Sequence, residues 1–272
     1  AEAWGGSTIF REDGPPNAGP PPLTAAMIPS LTPPSVGDAP GLRRVLDAQR
    51  ALRQAVGDTV PIVGVVMSPF SLPVMQFGFD GYLDLIFDRP DLAHRLMELN
   101  GAFCAEWANA QLAAGAHAIC YFDPLASPKM IDSAVYRRFG RPAAEKALAA
   151  IAGPTGTHLA SGPCLGVVDD LVQTGTLMVG VGGEEDLAAV KKACRGRVAV
   201  LGNLNGIRMR SWDEAATVAE VKGAIDAAAS GGGFILSDQH GEIPWQVPET
   251  TLDAIAQAVR EYGLYPQAGG RG

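Results

Sequence analysis

The feature that most constrains the fold is the alternation, from residue 60 onward, of short apolar runs with longer amphipathic ones. The short runs hold few polar residues, which is typical of parallel strands buried on both faces. Strand–helix alternation indicates right-handed crossovers between neighbouring parallel strands. The predicted strands are 61–67, 117–123, 157–161, 177–181, 198–203 and 234–238, and the predicted helices are 41–56, 81–97, 101–114, 134–151, 184–194, 213–229 and 249–262.

Two architectures fit this alternation, a closed barrel and an open doubly wound sheet. No GxGxxG motif follows the first predicted strand, which weakens a dinucleotide-binding open sheet. A length of 272 residues suits one α/β barrel domain. We therefore predict an α/β fold of the (β/α)8 TIM type, although only six of the eight strands are visible in the sequence.

The two ends of the chain differ from this pattern. Residues 1–40 are rich in Gly and Pro and show no periodicity, so we expect an irregular arm lying over the fold, with a disordered tail as the alternative. The barrel domain is expected over residues 41–265, and a disordered tail over residues 266–272.

Charge and cysteine content exclude several classes of function. The formal net charge is −8 and no basic stripe is present, which argues against a nucleic-acid surface. No apolar run reaches the roughly 18 residues needed to cross a bilayer, so no membrane association is expected. The four cysteines form no CxxC pair, which fits a reducing cytoplasm.

Polar residues stand at the carboxyl ends of most predicted strands. They are Asp123, Asn203 with Asn205, and His240, and His158 lies within the strand predicted at 157–161. These ends meet on one face of a parallel barrel, so the side chains are candidates for one site. Each has a structural alternative: Asp123 and the asparagines suit turns, His240 suits a loop carbonyl, and His158 could face either the lumen or the helices.

Two further features extend this candidate site. His240 is flanked by Asp238 and Glu242, and carboxylates there could orient the imidazole or share a metal with it. The loop at 67–79, which begins with Met67, is rich in Met and Phe. It is expected to wall a pocket for a flat or bulky ligand or cofactor, or alternatively to pack under a lid.

Three segments carry a resemblance to a known family. The segments GAHAICYFDPLASPKMIDSAVYRRF (115–139), VAVLGNLNG (198–206) and GGGFILSDQHGEIPWQVP (231–248) resemble the uroporphyrinogen decarboxylase superfamily, which includes methylcobalamin:coenzyme M methyltransferases. The resemblance implies a (β/α)8 barrel that lacks or replaces the family's N-terminal strand. Barrels of this superfamily often form homodimers, and the resemblance leaves that state open.

The methyltransferase branch implies a zinc ion that holds a thiolate. Its His-x-Cys pair resembles His158-Leu159-Ala160 here, and its later Cys resembles His240, so both Cys ligands are replaced. The altered set implies zinc held by His158, His240 and a carboxylate, which could be Glu242, Asp123 or Asp238. A corrinoid would be presented at the barrel mouth by a partner protein.

The leading hypothesis is thus a corrinoid-linked methyltransferase-like enzyme that acts on a small methylated substrate or methyl acceptor. Asp123 and His240 are its expected acid–base groups, and Asn203 and Asn205 are expected to hydrogen-bond the ligand. One alternative is a decarboxylase or lyase, because His240-Gly241 resembles the His-Gly of the decarboxylase branch. That branch holds its substrate with an Arg-rich N-terminal loop that has no counterpart here. The other alternative is a non-catalytic ligand-binding barrel.

Overall fold

The structure is a computed structural model that describes residues 2–12, 14–241 and 243–264. Its strands are β1 (Thr8–Ile9), β2 (Asn17–Ala18), β3 (Val63–Met67), β4 (Ala118–Phe122), β5 (Thr155–His158), β6 (Met178–Gly180), β7 (Ala199–Leu204) and β8 (Phe234–Asp238). Its α-helices are α1 (Pro40–Val56), α2 (Leu72–Phe77), α3 (Phe79–Asp88), α4 (Pro90–Ala113), α5 (Ser133–Val135), α6 (Arg141–Ala149), α7 (Val168–Gln173), α8 (Leu187–Cys194), α9 (Glu214–Ala228) and α10 (Glu249–Tyr262). A π-helical turn at Tyr136–Gly140 joins α5 to α6.

The six strands β3 to β8 form one parallel sheet whose order follows the chain without reversal. A doubly wound sheet reverses direction at a switch point, so sequential order is the winding of an α/β barrel. The predicted fold class is therefore confirmed, and all six predicted strands overlap an observed one.

Six strands leave the two edges of this sheet open within the part of the chain that the structure describes. On edge strand β3, Val63 and Val65 are 53% and 54% exposed, and on edge strand β8, Ile235 is 49% exposed. The register pairs Val65 with Cys120 and Leu201 with Ile235. Because partners in a parallel ladder share a face, these apolar side chains line the inside of the curved sheet, where further strands would cover them in a closed barrel.

One predicted helix boundary is wrong. The sequence pattern placed a break between residues 97 and 101, but α4 runs unbroken from Pro90 to Ala113. The break falls instead at Arg89, which separates α3 from α4. Proline lacks an N–H and restricts the residue before it, so it ends one helix and suits the first position of the next.

The arm before α1 packs on the domain. Its residues form the short antiparallel hairpin β1–β2 and three 3₁₀ turns. Trp4 and Val36 are buried in a cluster that also contains Val66 and Phe103. The Leu23 N–H donates to the Gln76 carbonyl at 3.0 Å. The arm thus covers α4 and the loop after β3, and its hairpin reaches the face where the strands end.

No helix among the described residues is long and apolar enough to cross a membrane. The segment predicted as a disordered tail, 266–272, lies outside the described residues.

We expect Trp4→Ala to loosen the arm. Trp4 is buried and its ring meets Phe103 edge-on with centroids 5.4 Å apart. Removing a buried aromatic ring should lower the free energy of unfolding by about 3 kcal/mol, measured by urea denaturation. Phe10→Ala, which removes a ring that is 71% exposed, serves as the control and should cost less than about 0.5 kcal/mol. If the two substitutions lowered the free energy of unfolding equally, the result would contradict the packing of the arm on the domain.

Candidate active site

His158 faces the inside of the sheet at the carboxyl end of β5. The register aligns it with Phe122 on one side and Gly180 on the other. Its imidazole stacks on the Phe122 ring, with centroids 5.8 Å apart and planes 19° apart. A Cβ built on Gly180 would clash with the ring at Cδ2, so β6 needs glycine at this register position. The His158 side chain therefore lies toward the lumen and not toward the helices.

The hydrogen bonds of His158 fix its tautomer. Its Nδ1 accepts the backbone N–H of Ala160 at 3.0 Å. Burial lowers the pKa of His158, with His240 adding to this effect and Asp238 opposing it. The ring is therefore neutral near pH 7, and its one proton must sit on Nε2, because Nδ1 is occupied as an acceptor. Nε2 is buried and has no partner among the described residues, so it is an unused N–H donor.

The loop after β8 holds His240 in one orientation. Gln239 accepts the Gly183 N–H at its Oε1, which turns its amide nitrogen toward His240 Nε2 at 2.9 Å. The His240 backbone N–H donates to Asp238 Oδ2 at 2.8 Å. Because His240 Nε2 accepts from the Gln239 amide, a neutral His240 carries its proton on Nδ1. Nδ1 is thus the atom that His240 can offer to a ligand.

A cavity of about 650 Å³ opens beside these two histidines. His240 lines it together with residues from three places: the arm, the ends of the strands, and the loop after β8. The other described lining residues are Glu12, Gly14, Pro15, Phe122, Ala160, Ile207, Ile243, Pro244, Trp245 and Gln246. His158 lies against this wall, stacked under Phe122 and two residues before Ala160. The cavity volume is within the range of ligand-binding pockets.

The two predicted asparagines lie elsewhere. Asn203 and Asn205 line a separate, polar cavity of about 580 Å³ with Arg208 and Glu220. The Asn203 side chain donates to the Gly182 carbonyl at 3.0 Å, and Asn205 accepts the N–H groups of residues 207 and 208. The Asn205 contacts are the turn-stabilising ones of the structural alternative, whereas the Asn203 bond joins its strand end to the loop after β6. Their predicted contact with a ligand remains a prediction, and the structure does not bring them to His240.

Met67 also lines a different cavity. This apolar space of about 390 Å³ lies between the arm and α4, and Met67 shares it with Met75, Trp4 and Trp107. Of the Met and Phe side chains predicted to form a wall, Met67 and Met75 line this cavity, which lies apart from the histidines, and the Phe side chains of residues 67–79 are not among its described lining residues. A role of Met67 in binding a cofactor stays a prediction.

Asp123 is fully buried on the outer side of the sheet. It shares this side with Tyr121, whereas Phe122 points to the lumen. Its Oδ1 accepts the hydroxyls of Ser68 at 2.7 Å and Ser71 at 2.6 Å, and its Oδ2 has no partner among the described residues. The structure thus separates Asp123 from His240 and from the cavity. Its position suits holding the loop after β3, because its Oδ1 accepts from two serines of that loop and it is not among the described residues that line the cavity beside His240.

Burial raises the pKa of Asp123 to about 6, although the hydrogen bonds from Ser71 and Ser68 oppose this. A raised pKa means that the folded state binds the proton more tightly than the unfolded chain, so this carboxyl makes the protein less stable as pH rises from about 4 to 6. Over that interval the parent protein should lose roughly 3 kcal/mol of its free energy of unfolding through this carboxyl, and Asp123→Asn should abolish that loss. Urea unfolding of both proteins at pH 4 and pH 7 tests this; parallel pH profiles would contradict the assignment.

The predicted zinc site does not fit the described residues. Among them, no three His, Cys, Asp or Glu side chains are grouped as metal ligands, and the family's first Cys position is Ala160. Glu242, the third predicted ligand, lies outside the described residues. Zinc-binding imidazoles usually donate through the second ring nitrogen, whereas His158 accepts there and would have to lose its Nε2 proton to bind.

Several site residues had no signal in the sequence. Glu12 comes from the arm, which shows no periodicity, and Phe122 was treated as part of a strand. Gln239 and Trp245 were quoted within a family segment but not singled out. Gly180 was detectable in principle, since an isolated glycine inside a strand often marks a close approach.

Comparison with known proteins places this barrel in a family. The family described as Uroporphyrinogen decarboxylase (URO-D) matches residues 1–262. Uroporphyrinogen decarboxylases of Cupriavidus pinatubonensis and Burkholderia pseudomallei are 29% and 28% identical over 83% and 87% of this chain. The chain spans 66% and 68% of their lengths, about two thirds in each case.

Two solved structures share the fold. A methyltransferase from Methanosarcina mazei has a TM-score of 0.87 at 22% identity, over 97% of this chain and 77% of that one. A B12-independent methionine synthase from Shewanella has a TM-score of 0.59 at 15% identity, over 79% and 66%. The fold is that of an α/β barrel of the TIM type. The chain belongs to the uroporphyrinogen decarboxylase family, which confirms the predicted resemblance.

We expect Gly180→Ala to displace His158. The added methyl would occupy the space of the imidazole, so the free energy of unfolding should fall by about 1–3 kcal/mol, as overpacking does. Gly223→Ala in α9 is the matched control, because its Cβ would meet nothing within 4 Å and alanine favours a helix. Urea denaturation of the two variants should therefore shift in opposite directions. A Gly180→Ala protein as stable as the parent would show that the ring is not packed against β6.

Proposed function

We propose that this chain is a methyl-transferring member of its family, acting on a small methylated substrate in the cavity beside His240. The observation that carries the proposal is the charge of the cavity. No Lys or Arg is among its described lining residues, and most of its walls are apolar. A porphyrinogen carries several carboxylates and needs cationic clamps, so this wall suits an uncharged or cationic substrate better.

The two histidines have different roles in this proposal. His240 offers Nδ1–H at the cavity wall, where it holds a polar group of the substrate or moves a proton to a leaving oxygen. His158 stays neutral and donates from Nε2 to an acceptor that reaches the inner end of the site. A ligand acceptor would give this N–H the partner that it lacks among the described residues, and leaving a buried N–H unpaired is costly.

The cavity mouth suits a macromolecular methyl carrier. Ile207, Ile243 and Trp245 stand at this rim and are 50%, 41% and 74% exposed. Such apolar side chains beside a site favour the docking of a partner. When a partner presents a corrinoid there, the corrinoid supplies the centre that gives or takes the methyl group. The M. mazei neighbour is named a methyltransferase, which agrees with this proposal.

Decarboxylation is the second candidate, because the curated relatives named above are uroporphyrinogen decarboxylases at 28–29% identity. It requires the anionic substrate to bind a cavity with no described cation. The two functions thus differ in the charge of the ligand, which is anionic for decarboxylation and uncharged or cationic for methyl transfer.

We expect the purified protein to change the absorbance of methylcobalamin and to leave that of uroporphyrin unchanged. It should also exchange methyl groups between methylcobalamin and a small acceptor, and His240→Gln should slow this exchange about 100-fold. His94→Gln is the control, since His94 stacks on Phe139 between α4 and the π-helical turn, away from this cavity. Binding and decarboxylation of uroporphyrinogen would establish the second candidate instead. Binding of neither macrocycle would favour a non-catalytic barrel. Metal analysis of the same sample tests the predicted zinc.

A further inference from the structure

The cavity combines aromatic rings with a carboxylate. Phe122 comes from the end of β4, Trp245 from the loop after β8, and Glu12 from the arm. Three separate parts of the chain therefore bring these groups to one space. The nearby His158 adds no positive charge near pH 7, because burial lowers its pKa.

Such a set of groups favours one class of ligand. The faces of Trp and Phe attract a cation through the ring quadrupole, and a carboxylate attracts it by charge. A quaternary ammonium group has no N–H to donate, so it is recognised by aromatic faces and nearby carboxylates and not by hydrogen bonds. The net charge of −8 also raises the local concentration of cations and repels anions.

We infer that the substrate of this site is a methylated quaternary ammonium ion, held between Trp245, Phe122 and Glu12. The inference rests on the proposed function, because it names the methyl donor of that reaction. When a nucleophile takes the methyl group, the carbon–nitrogen bond breaks and its electron pair stays on nitrogen. The nucleophile, a reduced corrinoid or a thiolate of the partner system, supplies the electron pair of the new bond.

This chemistry agrees with the groups that surround the cavity. The amine leaves without charge and needs no proton from the protein. The leaving amine then requires neither a metal nor Asp123, which is fully buried on the outer side of the sheet. His240 is free to hold a polar tail of the substrate by its Nδ1–H.

The test compares choline with 3,3-dimethylbutan-1-ol, which has the same shape but carbon in place of the charged nitrogen. Titration calorimetry on the full chain should give a dissociation constant for choline roughly tenfold or more below that of the neutral alcohol. Equal affinity for the two ligands, or no detectable binding of choline, would overturn the inference.

Two site variants test whether choline binds in this cavity. Glu12→Gln and Trp245→Leu should each weaken choline binding by roughly three- to tenfold, and Glu12→Gln should leave the neutral alcohol unaffected. Glu220→Gln in the separate polar cavity and Phe87→Leu on the surface of α3 are the controls and should bind choline as the parent does. Unchanged choline binding by both site variants would place the ligand outside this cavity and overturn the inference.

The two proposals fail separately. Choline binding without any methyl transfer would contradict the proposed function and leave the ligand class standing. Methyl transfer from a methoxylated donor, with no choline binding, would overturn the ligand class alone.

Discussion

The site depends on one constraint, the register that sets Phe122, His158 and Gly180 side by side on neighbouring strands. Parallel pairing gives these residues the same face, and the glycine leaves the space that the imidazole fills. Once the ring is placed, the backbone N–H of Ala160 determines which nitrogen carries the proton. Ala160 has a φ of 54°, a left-handed conformation that costs a non-glycine residue energy, so this N–H is held in place by the surrounding structure.

Much of the barrel could be predicted because its strands are buried on both faces. Six apolar runs bounded by Gly, Pro and polar residues gave six strands in the right places. Helix boundaries were harder, since the break predicted between residues 97 and 101 is absent from α4, while Pro90 begins that helix after a break at Arg89. The short helices α2 and α7 fall in segments that lack a full amphipathic repeat. The arm could not be predicted in detail, because its contacts join residues far apart in sequence.

The candidate site was predictable only in part, for a geometric reason. The rule that polar residues at strand ends converge placed His158 and His240 near each other, and His240 lines the cavity. It does not say which side of the strand a residue faces, and side chains alternate along a strand. Asp123 directly follows Phe122 and so lies on the opposite side of the sheet. Asn205 found backbone partners in its own turn and Asn203 found them in the loop after β6, and such contacts compete with ligand binding.

The hydrogen bonds of His158 do not suit the zinc site that the family resemblance implies. An imidazole that binds a metal presents a bare nitrogen and usually donates a hydrogen bond through the other one. In this chain the direction is reversed: Nδ1 accepts, and Nε2 presents a proton. A proton-bearing nitrogen recognises an acceptor atom of a ligand, whereas a bare nitrogen recognises a metal or an acid. The backbone N–H of Ala160 thus determines which atom the His158 ring presents.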